Sequence, residues 1–351
     1  MKPPGSRKAS LKQLLEDRQK SIHPGAFGNS PSDLIRLERL ESGGDLPLVV
    51  KPALKGIRLS EWASSSRPLI EELLIKNGAL LFRDFKVDSI EEFERLALAL
   101  SDGLLEYKER SSPRRPVKDR VYTSTDYPED QRIFLHNENS YQHSWPMKIL
   151  FFCETPASKG GETPIADCRR ILKRINPAIV DLFSQKQWMY VRNFGDGFGL
   201  PWETVFQTND KSLVEEHCRR NGIGVEWTEG NRLRLRSTLP ALSRHPGTGE
   251  MIWFNHATFF HVSTLDAAMR DGLRAGFNEE DLPANTYYGD GSAIDDSILD
   301  ELRRAYEDEK VVFPWQRSDV LLLDNMLAAH GRNSYQGPRN ILVAMCDPVS
   351  R

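Results

Sequence analysis

The sequence predicts a mainly β fold with helical inserts, a jelly-roll barrel carrying embellishments. Three observations lead there. Many short stretches have strand character, some of them apolar runs such as Ile149-Leu-Phe-Phe-Cys153 that read as buried strands. Helical stretches sit between those strands or outside them, and no repeat or low-complexity linker breaks the chain. At 351 residues the chain is long enough for a sizeable core and lies near the upper limit of one domain. The expected organisation is a partly flexible N-terminal arm over residues 1–50, then a single domain over 51–351.

In chain order, residues 1–30 are polar, with Pro and Gly punctuation and one helix near Leu11–Lys20. Ser60–Asn77 is a helix, because Ile70, Leu73, Leu74 and Ile75 recur on one side and Asn77-Gly78 supplies a stop. Ala79–Arg83 follows as a strand. Ser89–Ser101 is an amphipathic helix opened by a capping box of Ser89 and Glu92. Glu106–Asp130 is irregular and rich in Ser, Pro, Arg and Tyr. A loop of that length is more than a plain connector, and it runs into the next strand, so it is expected at the mouth of a pocket.

Ile133–Leu135 and Pro146–Glu154 are strands, and a glycine turn at Gly160-Gly161 leads into a short strand before Asp167. Further helices are expected over Cys168–Ile175, Ala178–Gln187, Asp210–Asn221, Leu265–Ala275 and Ile294–Glu309. Further strands are expected over Trp188–Asn193, Val225–Leu239, Met251–Asn255, Val311–Phe313, Asp319–Asp324 and Asn340–Met345. The helices between His136 and His330 form an insertion in the barrel.

A net charge of -3 argues against a general binder of nucleic acid or acidic membranes. No stretch approaches the twenty or so apolar residues of a membrane helix. Met1-Lys-Pro-Pro-Gly-Ser-Arg-Lys has positive charge without an apolar core behind it, so it does not read as a secretory signal. Cys153, Cys168, Cys218 and Cys346 are widely spaced and read as buried small hydrophobes in a reducing compartment, which makes the cytoplasm the expected location.

The chemistry-bearing stretch is Phe134-Leu-His-Asn-Glu-Asn-Ser-Tyr141. On an extended strand, residues two apart share a side, so His136 and Glu138 are expected to reach one metal ion together. A third ligand is expected from His330, which follows the apolar run Leu321-Leu-Leu. Two histidines and one carboxylate on one face, with other positions open, is the ligand set of non-haem Fe(II) oxygenases. A lone His-x-Glu on a surface strand is usually only polar.

His143, His245, His256 and His261 compete as ligands, but the aromatic neighbours of His256 and His261 favour core or pocket-wall roles. Trp227, Trp253 and Trp315 read as core or pocket wall, His23 and His217 as solvated, and Gly289-Asp-Gly291 as a turn. Arg332 suits a co-substrate contact or a supporting position equally, and the Arg110–Arg115 cluster is either a solvated loop or a substrate-recognition element. A zinc hydrolase with the same ligands and a cupin-like binding protein without turnover both stay open.

With His136-Asn-Glu138, Gly160-Gly-Glu-Thr163 and His330 followed by Arg339, the chain from about Leu69 to Met345 resembles the taurine dioxygenase and clavaminate synthase-like family. The strings Tyr122-Thr-Ser-Thr-Asp-Tyr127 and Asp324-Asn-Met-Leu are most similar to the syringomycin-biosynthesis type of hydroxylase. The resemblance implies a double-stranded β-helix using Fe(II), with 2-oxoglutarate and O2 as co-substrates. It implies His136, Glu138 and His330 as metal ligands and catalytic centre, with Thr163 and Arg339 binding 2-oxoglutarate. Halogenating relatives replace the acid with a small residue, so Glu138 implies hydroxylation or a related C–H oxidation. It further implies an amino-acid substrate, free or presented on a peptidyl carrier protein, in a specialised-metabolite pathway.

The residues suit that chemistry independently. Three protein ligands on a six-coordinate iron leave two positions for a chelating 2-oxo acid and one for O2. The far carboxylate needs a fork of donors, an arginine task, and Arg339 follows a Gly337-Pro338 turn that aims the next strand.

Overall fold

The computed structural model describes residues 31–40, 44–104, 116–118, 121–124, 127–195, 197 and 199–351. The expected helix at Leu11–Lys20 and the Arg110–Arg115 cluster lie outside the described residues.

Two sheets frame the barrel. The larger has eight strands in the order Ile35–Glu38, Leu48–Pro52, Ala79–Phe82, Val320–Asp324, Ser144–Thr155, Asn340–Ser350, Val121–Thr123 and Pro116–Lys118. The smaller has Ala328–Arg332 at its centre, antiparallel to Ile133–His136 on one side and to Ile165–Asp167 on the other. Strand alternation divides the large sheet between two cores. Leu81, Ile149, Phe151, Leu321, Leu323 and Val343 face inward, where Ile165 and Ala328 of the small sheet join them. Leu80, Leu150, Phe152, Leu322 and Leu342 face outward, under Leu59 and Trp62 of the helix Leu59–Asn77 and Phe93 and Leu96 of the helix Ile90–Ala99. Both faces are covered, which is why these strands are continuous apolar runs.

The helices end where the sequence says they should. Gly78 at φ 77° caps Leu59–Asn77, its N–H donating to the Leu74 carbonyl. Ser89 accepts from the Glu92 N–H, but only half of the expected capping box forms. The Glu92 carboxylate turns instead to the Ser60 hydroxyl at 2.5 Å and to Arg95 at 2.7 Å, tying the two helices together.

The insertion has its own layers. A sheet ordered Ile223–Thr228, Arg232–Leu239, Trp188–Phe194, Ala284–Tyr288 stands beside the barrel. Cys168–Arg174, Pro177–Lys186 and Asp296–Glu309 bury Ile171, Phe183, Leu299 and Leu302 against Trp188, Trp253 and Phe254.

Three expectations change. Val225–Leu239 is a hairpin rather than one strand, broken at Glu229–Asn231 where Gly230 and Asn231 both take positive φ. Val311–Phe313 makes a single bridge, Val311 to Ile165. The segment read as irregular contains paired strands, Pro116–Lys118 against Val121–Thr123. No helix among the described residues is long and apolar enough to cross a membrane.

Phe93 is fully buried and stacks on Phe152 at 5.3 Å. Phe93→Ala is expected to cost about 3–5 kcal/mol of unfolding free energy in a urea titration; a loss under about 1 kcal/mol would mean that the helix layer is not part of the cooperative core.

Candidate metal centre

His136 and His330 are opposite each other across the antiparallel pair of strands that carries them. Their rings lie 4.5 Å apart between centroids. Gly331 lets the strands approach: a Cβ there would meet the Ile133 carbonyl at 2.6 Å. His136 Nδ1 lies 2.8 Å from the Phe134 carbonyl. A carbonyl only accepts, so Nδ1 carries the proton and Nε2 keeps its lone pair for a metal.

Glu138 reaches the same place by another route than the expected one. The strand ends at His136, and Asn137–Ser140 is a turn with Asn139 at φ 56°. Strand alternation therefore does not aim Glu138. Asn325 does, from the turn that leads the chain from the large sheet into the small one. Its side chain accepts the Glu138 N–H at 2.8 Å and donates to the Glu138 carbonyl at 2.9 Å and the Pro146 carbonyl at 2.8 Å. The Asn325 carbonyl in turn accepts from Asn137 at 2.7 Å. Asp324 forms the turn around it, accepting from the N–H groups of Met326 and Leu327, both at 3.0 Å.

The result is one cluster. Ligating atoms of His136, Glu138 and His330 all lie within 4.8 Å of one another, and His330 Nε2 is 3.8 Å from Glu138 Oε2. Three nitrogen and oxygen donors at that spacing can hold a divalent ion while leaving positions open.

Thr163 and Arg339 join His136 and His330 around one recess. Thr163 Oγ1 accepts from the Trp315 indole at 3.1 Å, so its own proton is left to donate. Arg339 donates to the Gly161 carbonyl at 2.9 Å and to the Ser124 hydroxyl at 3.2 Å. Among the described residues no carboxylate makes an ion pair with it. Burial, and then the nearby charge of Arg332, pulls its guanidinium down to about 10. It remains a cation at neutral pH, half-buried among neutral partners, and an entering carboxylate relieves the cost of that burial.

The remaining candidates separate cleanly. Arg332 also lines the recess but is buried and spends its donors on the carbonyls of Tyr127, Pro128 and Gln131, at 3.0, 2.5 and 2.9 Å. His245 is a supporting residue: its Nδ1 accepts from Gly247 and Thr248 while Nε2 donates to Asp324 at 2.9 Å. His256 and His261 are outside the cluster; His256 belongs to an aromatic wall, while His261 Nδ1 lies 2.7 Å from the Ser263 hydroxyl. The His256 ring sits 5.6 Å from that of His136, with Ser140 on its Nδ1. Trp253 and Trp315 are buried as expected.

Sequence reasoning missed Asn325 and Ser124 as members of the site. The signal for Asn325 was present, since Asp324-Asn325 directly after an apolar strand is turn chemistry. Ser124 carries no such mark.

The chain matches the model of the family described as taurine catabolism dioxygenase TauD, TfdA over residues 43–346. It is 42% identical over 280 residues to the dapdiamide synthesis protein DdaC of Enterobacter agglomerans, covering 80% of this chain and 85% of that one. It is 30% identical over 305 residues to a clavaminate synthase-like protein of Arabidopsis thaliana, covering 84% and 89%. Among solved structures it superposes on PvcB, an Fe, alpha-ketoglutarate dependent oxygenase from an isonitrile synthetic pathway. The TM-score is 0.55 at 16% identity, covering 93% of this chain and 94% of that one, a likeness of fold.

Asn325→Ala is expected to weaken divalent-ion binding by roughly 10–100-fold, measured by Co(II) titration, because it frees the turn that aims Glu138. Wild-type affinity in that variant would show that the turn holds without it. A second expectation concerns His261, whose imidazole burial, reinforced by Arg303, pulls down to about 4. An unfolded histidine titrates near 6.5, so on acidification the unfolded chain takes the proton first. The stabilising contribution of neutral His261 is complete above about pH 6.5 and drains away as pH falls toward about 4. Thermal midpoints over that window are expected to fall more steeply in the wild type than in His261→Gln. Parallel curves would contradict this.

Proposed function

The chain belongs to the TauD/TfdA family and is a 2-oxoglutarate-dependent dioxygenase that uses Fe(II), and from that premise we propose that it hydroxylates an unactivated carbon of an amino acid in specialised-metabolite synthesis. The substrate is free or tethered to a peptidyl carrier protein. The observation that carries the assignment of the site is the His136, Glu138 and His330 cluster opening on the recess that contains Arg339, a half-buried cation without a carboxylate partner among the described residues. The 42% identity to a dapdiamide synthesis protein supports a biosynthetic setting.

In this reading His136, Glu138 and His330 hold the iron. Bound Fe(II) with O2 supplies the oxidation that turns 2-oxoglutarate into succinate and carbon dioxide while placing the second oxygen atom on the substrate. The chain's own residues bind and orient. The Phe134 carbonyl sets the His136 tautomer, Asn325 fixes the Glu138 backbone, and Phe151 packs on the His330 ring at 5.2 Å. Arg339 presents its fork to the distal carboxylate of 2-oxoglutarate, and Thr163 offers one further donor. Phe259, 4.6 Å from the His136 ring, helps to keep water from the centre. The Glu138 carboxylate supports hydroxylation over halogenation. The four free cysteines are buried, and burial pushes the thiols of Cys153, Cys168 and Cys346 up to about 12, which supports a cytoplasmic setting.

Anaerobic addition of Fe(II) and 2-oxoglutarate is expected to give a visible charge-transfer band that disappears in His136→Ala. No band in the wild type would favour a zinc hydrolase or a cupin-like binder. Arg339→Gln is expected to cost about 2–5 kcal/mol of 2-oxoglutarate binding, read as a shift of the titration midpoint of that band. A succinate-release screen over free amino acids and carrier-loaded aminoacyl thioesters identifies the substrate, and product mass separates hydroxylation from desaturation.

A further inference from the structure

A second recess opens on the insertion. Its floor is one face of the insertion sheet. Tyr190 and Arg192 alternate on the strand Trp188–Phe194, and across the register they meet Ser237 and Leu235. Phe206 and Asn221 close it from the helical side. On the barrel side the wall is Tyr141 and His143, three and five residues after Glu138 in the chain.

This recess shares a partition with the metal centre. The Tyr190 ring stacks on Phe260 at 4.3 Å, Phe260 on His256 at 4.7 Å, and His256 meets His136 at 5.6 Å. Tyr141 joins the same group, 4.9 Å from His256. A molecule seated on Tyr190 and Tyr141 therefore rests against the side chains that back the metal cluster.

Its chemistry is set by Arg192. Among the described residues no carboxylate forms an ion pair with this guanidinium; it lies 4.7 Å from the Phe194 ring centroid and 5.9 Å from that of Tyr190. A guanidinium laid on aromatic faces has its planar fork free for a planar oxyanion. The Tyr141, Tyr190 and Phe206 rings suit a flat or apolar body behind that anion, and the Ser237 hydroxyl suits an amide.

We propose that this recess binds a small organic anion at a site apart from the metal centre, through an oxyanion held by Arg192 and an apolar body stacked on Tyr141 and Tyr190. The oxyanion has two sources, a carboxylate or a phosphate, and separate probes distinguish them.

The test is calorimetric titration of the full chain with hippurate, a carboxylate on an amide and a ring, and with pantetheine 4′-phosphate. At least one is expected to bind, and Arg192→Gln is expected to weaken it by about 10–100-fold. Hippuramide, which lacks the anion, is expected not to bind. Ser237→Tyr, which fills the recess from its floor, provides a second route should Arg192→Gln unfold, and is also expected to abolish binding. Tighter binding of hippurate assigns a carboxylate ligand; tighter binding of pantetheine 4′-phosphate assigns a phosphate. Binding of neither probe, or binding untouched by both substitutions, overturns the proposal. Probe binding without a charge-transfer band in the wild type would sink the functional reading and leave the recess standing, and a normal band without probe binding would do the reverse.

Discussion

The hydrogen bonds of Asn325 are the constraint on which the rest of the centre depends. One amide side chain takes both backbone groups of Glu138 and a carbonyl at the start of the long strand Ser144–Thr155. Asn325 is itself fully buried in the turn between the two sheets of the barrel. Buried amides are costly unless satisfied, so the turn, the large sheet and the Glu138 segment are locked in one arrangement. His330 follows five residues later on the central strand of the small sheet, which places it opposite His136. The three side chains thus converge through a single joint between the sheets.

Around that joint, charge is arranged so that anions belong inside. Arg332 and Arg339 both line the first recess, but their backbones of contact differ. Arg332 is committed to three carbonyls of the segment that covers it, so it works as a strut. Among the described residues Arg339 donates to one carbonyl and one hydroxyl, and keeps donors available. Two neighbouring cations disfavour one another, which is part of why Arg339 is held below its usual range and why a dianionic acid suits the space between. The aromatic wall of His256, Phe259 and Phe260 then separates this polar chamber from the insertion, with its own unpaired guanidinium at Arg192 among the described residues.

Much of this was legible in the chain. The apolar runs at 149–153 and 321–323 are long enough to name the buried strands, and the order of His136, Glu138, Thr163, His330 and Arg339 marks the candidate residues that the structure gathers around one recess. Illegible were the joints. Val225–Leu239 alternates well enough to pass for one strand, because Glu229-Gly-Asn231 is a turn only when a partner strand rewards reversal. Glu92 completes a capping box on paper, yet Ser60 of the neighbouring helix offers the better partner.

By itself the sequence determined the apolar strands of the core and which side chains had the chemistry for a metal and a 2-oxo acid, because periodicity and donor type are local properties. The tertiary structure alone decided that Glu138 points at the cluster from a turn, that Arg332 is a strut and Arg339 is not, and that a second recess backs onto the first. Those outcomes depend on hydrogen bonds and packing between segments up to two hundred residues apart, and no pattern in the nearby chain encodes which of several possible partners will arrive.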